Sequence, residues 1–116
     1  MIKAKDAQTF IKSAADPQMA PLILDVRPDT NWIDGHIEGA KWIPLAQLDD
    51  RIDEIESYRE TPVLVYSHAG QNSLDAASVL QSNRFTQIMV LDGGLAAWVS
   101  SGLPIVKGPF PAAPAK

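Results

Sequence analysis

The sequence predicts an α/β domain built on a mainly parallel sheet. Three short apolar runs, at residues 22–26, 63–66 and 88–91, lack polar alternation, which is typical of strands buried on both faces of a parallel sheet. Segments with apolar residues at helical spacing lie between these runs. Alternating strands and helices are the pattern of α/β folds, and a length of 116 residues fits one domain.

The first third of the chain contains an edge segment, a helix and a buried strand. Ile2 begins the edge segment, and residues 6–15 are predicted to form a helix that ends before Pro17, because the residue before a proline avoids the helical region. The strand at 22–26 follows and runs into a turn at 27–30.

The middle of the chain is predicted to hold a short strand and one helix. Residues 41–43 form the strand, which Pro44 ends. Residues 45–57 carry Leu48, Ile52 and Ile55 at helical spacing, with acidic residues around them. These acidic residues are interpreted as a solvated helix face.

After the central strand at 63–66, a helical pattern opens at Ser73 and runs to about Ser82. The strand at 88–91 and a turn at Gly93 and Gly94 lead into a short helix that begins at Leu95. Residues 1–106 are thus predicted to form one domain. The Pro- and Ala-rich residues 107–116 are interpreted as a tail or the start of a linker.

Composition and charge limit the classes of function. A net charge of -4 without a basic block argues against nucleic acid or an anionic membrane as the main partner. The polar N-terminus lacks the apolar region of a signal peptide, so the cytoplasm is the expected location. The chain has no cysteine, which excludes disulfides, thiolate metal sites and cysteine nucleophiles, and it has only two histidines. No metal site and no cofactor are predicted.

The segment at 67–73 is the candidate functional site. It joins the central strand to a helix, and a strand, a tight loop and a helix N-terminus in this order can direct several N–H groups at one anion. Ser67 is the first residue of the loop. Gly70 allows close backbone approach to a ligand, and Ser73 is predicted to cap the helix.

Several segments of the sequence resemble motifs of the rhodanese family, and the resemblance extends over most of the chain. The segments that carry the resemblance are L-D-V-R at 24–27, G-H-I-E-G-A at 35–40 with I-P at 43–44, and L-D-G-G-L-A-A-W at 91–98 with Gly102 and Pro104. The resemblance implies a five-stranded, mainly parallel sheet flanked by helices. It also implies sulfurtransferase chemistry, in which a loop cysteine accepts a sulfane sulfur as a persulfide and passes it to a thiophilic acceptor.

The loop departs from the family pattern C-x-x-G-x-R-S at two positions. Here it reads Ser67, His68, Ala69, Gly70, Gln71, Asn72 and Ser73. Ser67 therefore stands at the position of the nucleophilic cysteine, and Asn72 at the common arginine position. The six residues from 67 to 72 match the loop length of the sulfurtransferase branch, which disfavours the related phosphatases with their longer loop.

Ser67 cannot replace a cysteine in sulfur transfer, since the reaction needs a thiolate and a serine hydroxyl ionises far above neutral pH. A serine hydrolase is disfavoured as well, because Val65 and Ala69 occupy the glycine positions of the G-x-S-x-G elbow. His68 is the nearest candidate base and is expected at the loop rim. Asp25 and Arg27 are predicted to form a supporting ion pair.

Two interpretations stay open on the sequence. The domain is a sulfurtransferase in which an introduced serine replaces the catalytic cysteine, or it has naturally lost catalysis and serves as a binding or regulatory module. Asn72 favours natural divergence, although the arginine position varies in the family. The expected partner is a small sulfur-containing anion such as thiosulfate, or a persulfide-carrying protein.

Overall fold

A computed structural model describes residues 2–13, 21–27, 35–68 and 71–106. In these residues, four parallel strands form one sheet in the order β2-β1-β3-β4. The strands are β1 (Leu22–Asp25), β2 (Lys41–Trp42), β3 (Val63–Tyr66) and β4 (Ile88–Val90). The predicted α/β class and the parallel sheet are confirmed.

Within the described ranges, four helices and two 3₁₀ turns connect and cover the strands. The helices are α1 (Ala4–Ser13), α2 (Leu45–Leu48), α3 (Gln71–Ser82) and α4 (Gly94–Ser100). The described part of the chain contains no helix long and apolar enough to span a bilayer.

Successive residues of the central strands are buried on opposite faces of the sheet, as the apolar runs predicted. On one face, residues of β1 and β3 pack with Leu48, Ala76 and Leu80 from α2 and α3. On the other face, Ile23 and Leu64 pack with residues of α1 and α4, including Trp98. The sheet is therefore covered by helices on both sides.

The five-stranded sheet implied by the resemblance is not found in the described residues. Ile2 forms only an isolated parallel bridge to Leu91, at the edge of β4. The bridge consists of hydrogen bonds from Ile2 N to Val90 O and from Asp92 N to Ile2 O, both of 2.8 Å. Because α1 begins at Ala4, the chain leaves the sheet after this single pair.

The predicted single helix over residues 45–57 is wrong. The helix ends at Leu48, and the 3₁₀ turns Ile52–Glu54 and Glu56–Tyr58 follow. Arg51 (φ -110°, ψ 18°) and Ile55 (φ -126°, ψ 12°) leave the helical region. Two consecutive aspartates after Leu48 weaken helix propagation, because short polar side chains compete for backbone hydrogen bonds. Leu48 and Ile55 remain fully buried, so the apolar spacing still describes the core.

Several other predictions fall on residues outside the described ranges. These are the end of the first helix at residues 14–17, the turn at 28–30, and the tail at 107–116. The domain boundary at residue 106 therefore stays a prediction.

The C-terminus of α3 has a Schellman geometry with a residue other than glycine at its left-handed position. Arg84 has φ 74°. Its N–H donates to Gln81 O at 3.1 Å, and Phe85 N donates to Leu80 O at 3.1 Å. Phe85 and Leu80 also belong to the same core cluster. The left-handed conformation costs a non-glycine residue about 1–2 kcal/mol.

Arg84→Gly is expected to raise the free energy of unfolding by about 0.5 kcal/mol. Relief of the left-handed strain exceeds the extra chain entropy that glycine adds to the unfolded state. Urea unfolding of Arg84→Gly and Arg84→Ala measures the difference. The alanine variant removes the same exposed side chain but keeps the Cβ atom, so a gain in Arg84→Ala as large as that in Arg84→Gly would refute this explanation.

Candidate active-site loop

The candidate site lies where the central strands end. Ser67 follows the last residue of β3 and is 2% exposed. Asp25 is the last residue of β1 and pairs in register with Tyr66. Because parallel strands present their carboxyl ends at one edge, the loop after β3 and the segment after β1 lie side by side, as predicted.

The hydroxyl groups of Ser67 and Ser73 are in direct contact. Ser73 Oγ donates a hydrogen bond to Ser67 Oγ at 3.1 Å, and Ser73 is fully buried. The prediction that Ser73 caps the helix is wrong, since α3 begins two residues earlier, at Gln71. Ser73 instead turns its hydroxyl from the first turn of α3 toward the residue at the nucleophile position.

The backbone of the loop start is held by α4. The carbonyl oxygens of Ser67 and His68 accept hydrogen bonds from Leu95 N at 2.8 Å and Ala96 N at 2.9 Å. In a trans peptide the N–H points opposite to the preceding C=O. The N–H of His68 is therefore directed away from α4, which is the orientation that an anion cradle requires.

Gly94 makes this close contact between α4 and the loop possible. A Cβ atom at this position would lie 2.5 Å from Ser67 O and 2.7 Å from His68 O, and the residue has φ +63°. The positive φ favours glycine, and the contact with backbone atoms leaves no room for a Cβ atom. The sequence predicts a turn at Gly94 but does not indicate that this residue supports the loop.

The other predicted loop residues are described in part. His68 is exposed, in agreement with the expected position at the rim, and Asn72 is half-buried in the first turn of α3. Gln71 is the first residue of α3. Ala69 and Gly70 lie outside the described residues. The structure thus describes the two sides of the predicted cradle.

The predicted ion pair between Asp25 and Arg27 is present. Arg27 Nη2 lies 2.7 Å from Asp25 Oδ2, with side-chain exposures of 6% and 0%. Arg27 Nε donates to both carboxylate oxygens at 3.0–3.1 Å, and the backbone N–H of Arg27 donates to Oδ1 at 2.9 Å. Arg27 Nη2 also donates to Gly35 O at 2.9 Å, which ties the segment after residue 35 to the end of β1.

Tyr66 joins this buried network and was not predicted as a site residue. Its hydroxyl oxygen accepts a hydrogen bond from Ile37 N at 3.2 Å, and the Arg27 guanidinium lies 5.9 Å from the ring centroid. Burial raises the pKa of the Tyr66 hydroxyl, and the nearby Asp25 carboxylate raises it further. The only sequence signal is a tyrosine in an otherwise aliphatic buried strand, where its hydroxyl needs a partner.

The loop contains hydrogen-bonding groups but no thiol. The buried carboxylate and guanidinium of the ion pair neutralise each other, and Asn72 adds no charge to α3. Among the residues that the structure describes, no three histidine, aspartate or glutamate side chains are grouped as metal ligands would be. The described part of the loop offers hydrogen bonding from the hydroxyl groups of Ser67 and Ser73 and from the backbone N–H of His68.

The fold and the loop together define a rhodanese-like domain. The rhodanese-like domain family matches residues 6–101, and the chain belongs to this family. The predicted resemblance is confirmed.

Relatives and solved structures agree with this assignment. The uncharacterized protein YibN of Escherichia coli K12 is 30% identical over 88 residues, which cover 75% of this chain and 62% of YibN. A protein of Allochromatium vinosum named as a sulfurtransferase is 29% identical, with coverage of 91% of this chain and 96% of the relative. The solution structure of a rhodanese-like domain from an Anabaena protein superposes with a TM-score of 0.80 at 29% identity, covering 100% of this chain and 85% of that one. The chain thus spans less than two thirds of the E. coli relative but nearly all of the A. vinosum one.

Proposed function

We propose that this chain is a sulfurtransferase-type rhodanese domain that binds a small sulfur-containing anion or a protein persulfide. With serine at position 67, it does not transfer sulfur. Thiosulfate is the small anion we expect. One observation carries the proposal: Ser67, at the nucleophile position, is itself buried, and its hydroxyl is hydrogen-bonded to that of Ser73.

Sulfane transfer requires a thiolate, which a serine at position 67 does not provide. In sulfane transfer a thiolate attacks the outer sulfur of thiosulfate, a new S–S bond forms, the old S–S bond breaks, and sulfite leaves with the bonding electrons. Cyanide can then attack the persulfide sulfur, which releases thiocyanate and restores the thiolate. The Ser67 hydroxyl remains protonated near neutral pH and cannot form the S–S bond on which both steps depend.

The Ser67→Cys variant tests the proposal. After incubation with thiosulfate, we expect its intact mass to increase by one sulfur atom and cyanide to be converted to thiocyanate. The unmodified protein is expected to show neither change. Because the chain has no other cysteine, any sulfur gained by the variant is carried at position 67.

Ser78→Cys is the matched control. Ser78 is exposed on α3, outside the loop, so this variant presents one ordinary thiol on the same domain. Equal sulfur uptake by the two variants would show that the loop contributes nothing. Ser67→Cys folded but without sulfur uptake would reject the sulfurtransferase proposal.

A naturally non-catalytic binding or regulatory module is the second candidate. Asn72 favours it, since this half-buried side chain stands at the common arginine position and brings no charge to the loop. Failure of folded Ser67→Cys to take up sulfur supports this candidate, because the rest of the loop has then also lost its catalytic form. A cytoplasmic location stays a prediction in both cases.

A further inference from the structure

We propose that Gly94 is a positioning residue for the group at position 67. It lets α4 hold the carbonyls of Ser67 and His68 toward itself, so that the N–H of His68 turns away from α4 and is available to the group at position 67. The inference rests on the proposed function in one respect, namely that position 67 holds the reacting group.

Two backbone hydrogen bonds join α4 to the start of the loop. Leu95 N and Ala96 N donate to the carbonyls of Ser67 and His68 at 2.8 and 2.9 Å. These two N–H groups belong to the first turn of α4, where no intrahelical acceptor exists. The loop carbonyls are thereby turned toward α4, and the N–H of His68 is turned the opposite way.

Gly94 lies in close contact with the backbone of the loop. A Cβ atom on residue 94 would lie 2.5 Å from Ser67 O, 2.7 Å from His68 O and 2.8 Å from His68 C. All three contacts are with backbone atoms, which cannot swing aside as the end of a flexible side chain can. Any side chain at position 94 must therefore move either α4 or the start of the loop.

The expected consequence concerns ionisation at position 67. Backbone N–H groups that face a thiol stabilise its thiolate and lower its pKa below the usual value of about 8.5. Displacement of the first loop peptide removes part of this stabilisation. Gly94 thus controls the reactivity of a group that it does not itself have to contact.

The test measures the pH profile of thiol alkylation by iodoacetamide in the Ser67→Cys background. The introduced thiol is the only one in the chain, so the rate reports on position 67 alone. In Ser67→Cys we expect the midpoint of the profile to lie below the value of about 8.5 for an ordinary cysteine. Addition of Gly94→Ala is expected to raise the midpoint by about one unit, toward that value.

Gly102→Ala in the same background is the matched control. Gly102 has φ +81°, so alanine suffers a comparable left-handed strain, but a Cβ atom there would meet nothing within 4 Å. We expect this variant to lose stability without a change in the midpoint. An equal shift in the Gly94→Ala and Gly102→Ala variants would overturn the proposal, since it would then reflect general destabilisation.

Ala96→Pro decides the question if Gly94→Ala prevents folding. Ala96 is exposed in the first turn of α4, where proline is tolerated, and the change removes the N–H that donates to His68 O. We expect the alkylation midpoint to rise in this variant too. An unchanged midpoint in folded Ala96→Pro would overturn the proposal.

The alkylation profile also separates this inference from the proposed function. A low midpoint in Ser67→Cys that rises with Gly94→Ala supports the positioning role even if thiosulfate gives no sulfur uptake. Sulfur uptake by Ser67→Cys with a midpoint insensitive to residues 94 and 96 supports the function and rejects the positioning role. An alkylation midpoint of about 8.5 in Ser67→Cys, as for an ordinary cysteine, also rejects the positioning role.

Discussion

Asp25→Asn is expected to lower the free energy of unfolding by about 3–5 kcal/mol, because it leaves the Arg27 guanidinium buried without a counter-charge. The Asp25 carboxylate is fully buried and accepts hydrogen bonds from Arg27 Nε, Nη2 and backbone N. Asparagine has nearly the same shape but replaces one acceptor oxygen with an NH₂ donor. Since whole domains are stable by about 5–15 kcal/mol, a loss of this size is easily measured by urea unfolding.

Glu54→Gln is the matched control for this prediction. The Arg51–Glu54 pair has a similar N–O distance of 2.8 Å, but its side chains are 33% and 37% exposed. The hydrogen bond from Arg51 lowers the pKa of Glu54 to about 2, yet solvent screens an exposed pair, so we expect a loss below about 1 kcal/mol. Equal losses in Asp25→Asn and Glu54→Gln would show that burial does not govern the cost.

The double variant Asp25→Leu with Arg27→Met tests whether the uncompensated buried charge of Arg27 causes the loss. Replacing both charges with apolar side chains removes the uncompensated charge, so the loss is expected to be smaller than in Asp25→Asn alone. A larger loss would indicate that the hydrogen bond from Arg27 to Gly35 O, rather than charge burial, dominates.

Tyr66→Phe is expected to lower the free energy of unfolding by about 1–3 kcal/mol at pH 7, because it leaves the buried Ile37 N–H without its acceptor. The ring and its packing on the α1–α4 face are kept, so the change isolates the hydroxyl group. Tyr58→Phe is the control. Tyr58 is only half-buried, and a change within about 0.5 kcal/mol is expected there.

The effect of Tyr66→Phe should also depend on pH. The pKa of Tyr66 is raised in the folded state, so above pH 10 the unfolded chain loses this proton before the folded protein does. Its contribution is fully present below about pH 10 and falls as pH rises, at about 1.4 kcal/mol per unit. Between pH 7 and pH 11, the stability gap between the unmodified protein and Tyr66→Phe should therefore narrow by about 1.4 kcal/mol. A constant gap would mean that the hydroxyl is not protected from ionisation.

Much of the fold followed from local patterns in the sequence. The buried strands were identified because apolar runs without alternation fit a sheet covered on both faces, and both faces of β1 and β3 are indeed packed. The prediction of one helix over residues 45–57 is wrong because apolar spacing indicates only which residues face the core, and a short helix followed by two 3₁₀ turns satisfies the same spacing. The resemblance implies a fifth strand, but within the described residues Ile2 makes only one bridge, to Leu91, and the length of such an edge pairing is not set by residue type.

The sequence by itself determined the fold class, the family and the missing thiol at position 67. All three depend only on residue types and on their order along the chain. Only the tertiary structure decided what Ser73, Tyr66 and Gly94 do at the site. Their partners are Ser67, Ile37 and the loop carbonyls, and each pairing depends on the distance and direction of groups brought together by packing. Such contacts between separate elements have no signature in local sequence, because spacing along the chain fixes neither the angle of a hydroxyl group nor the gap between a helix and a loop.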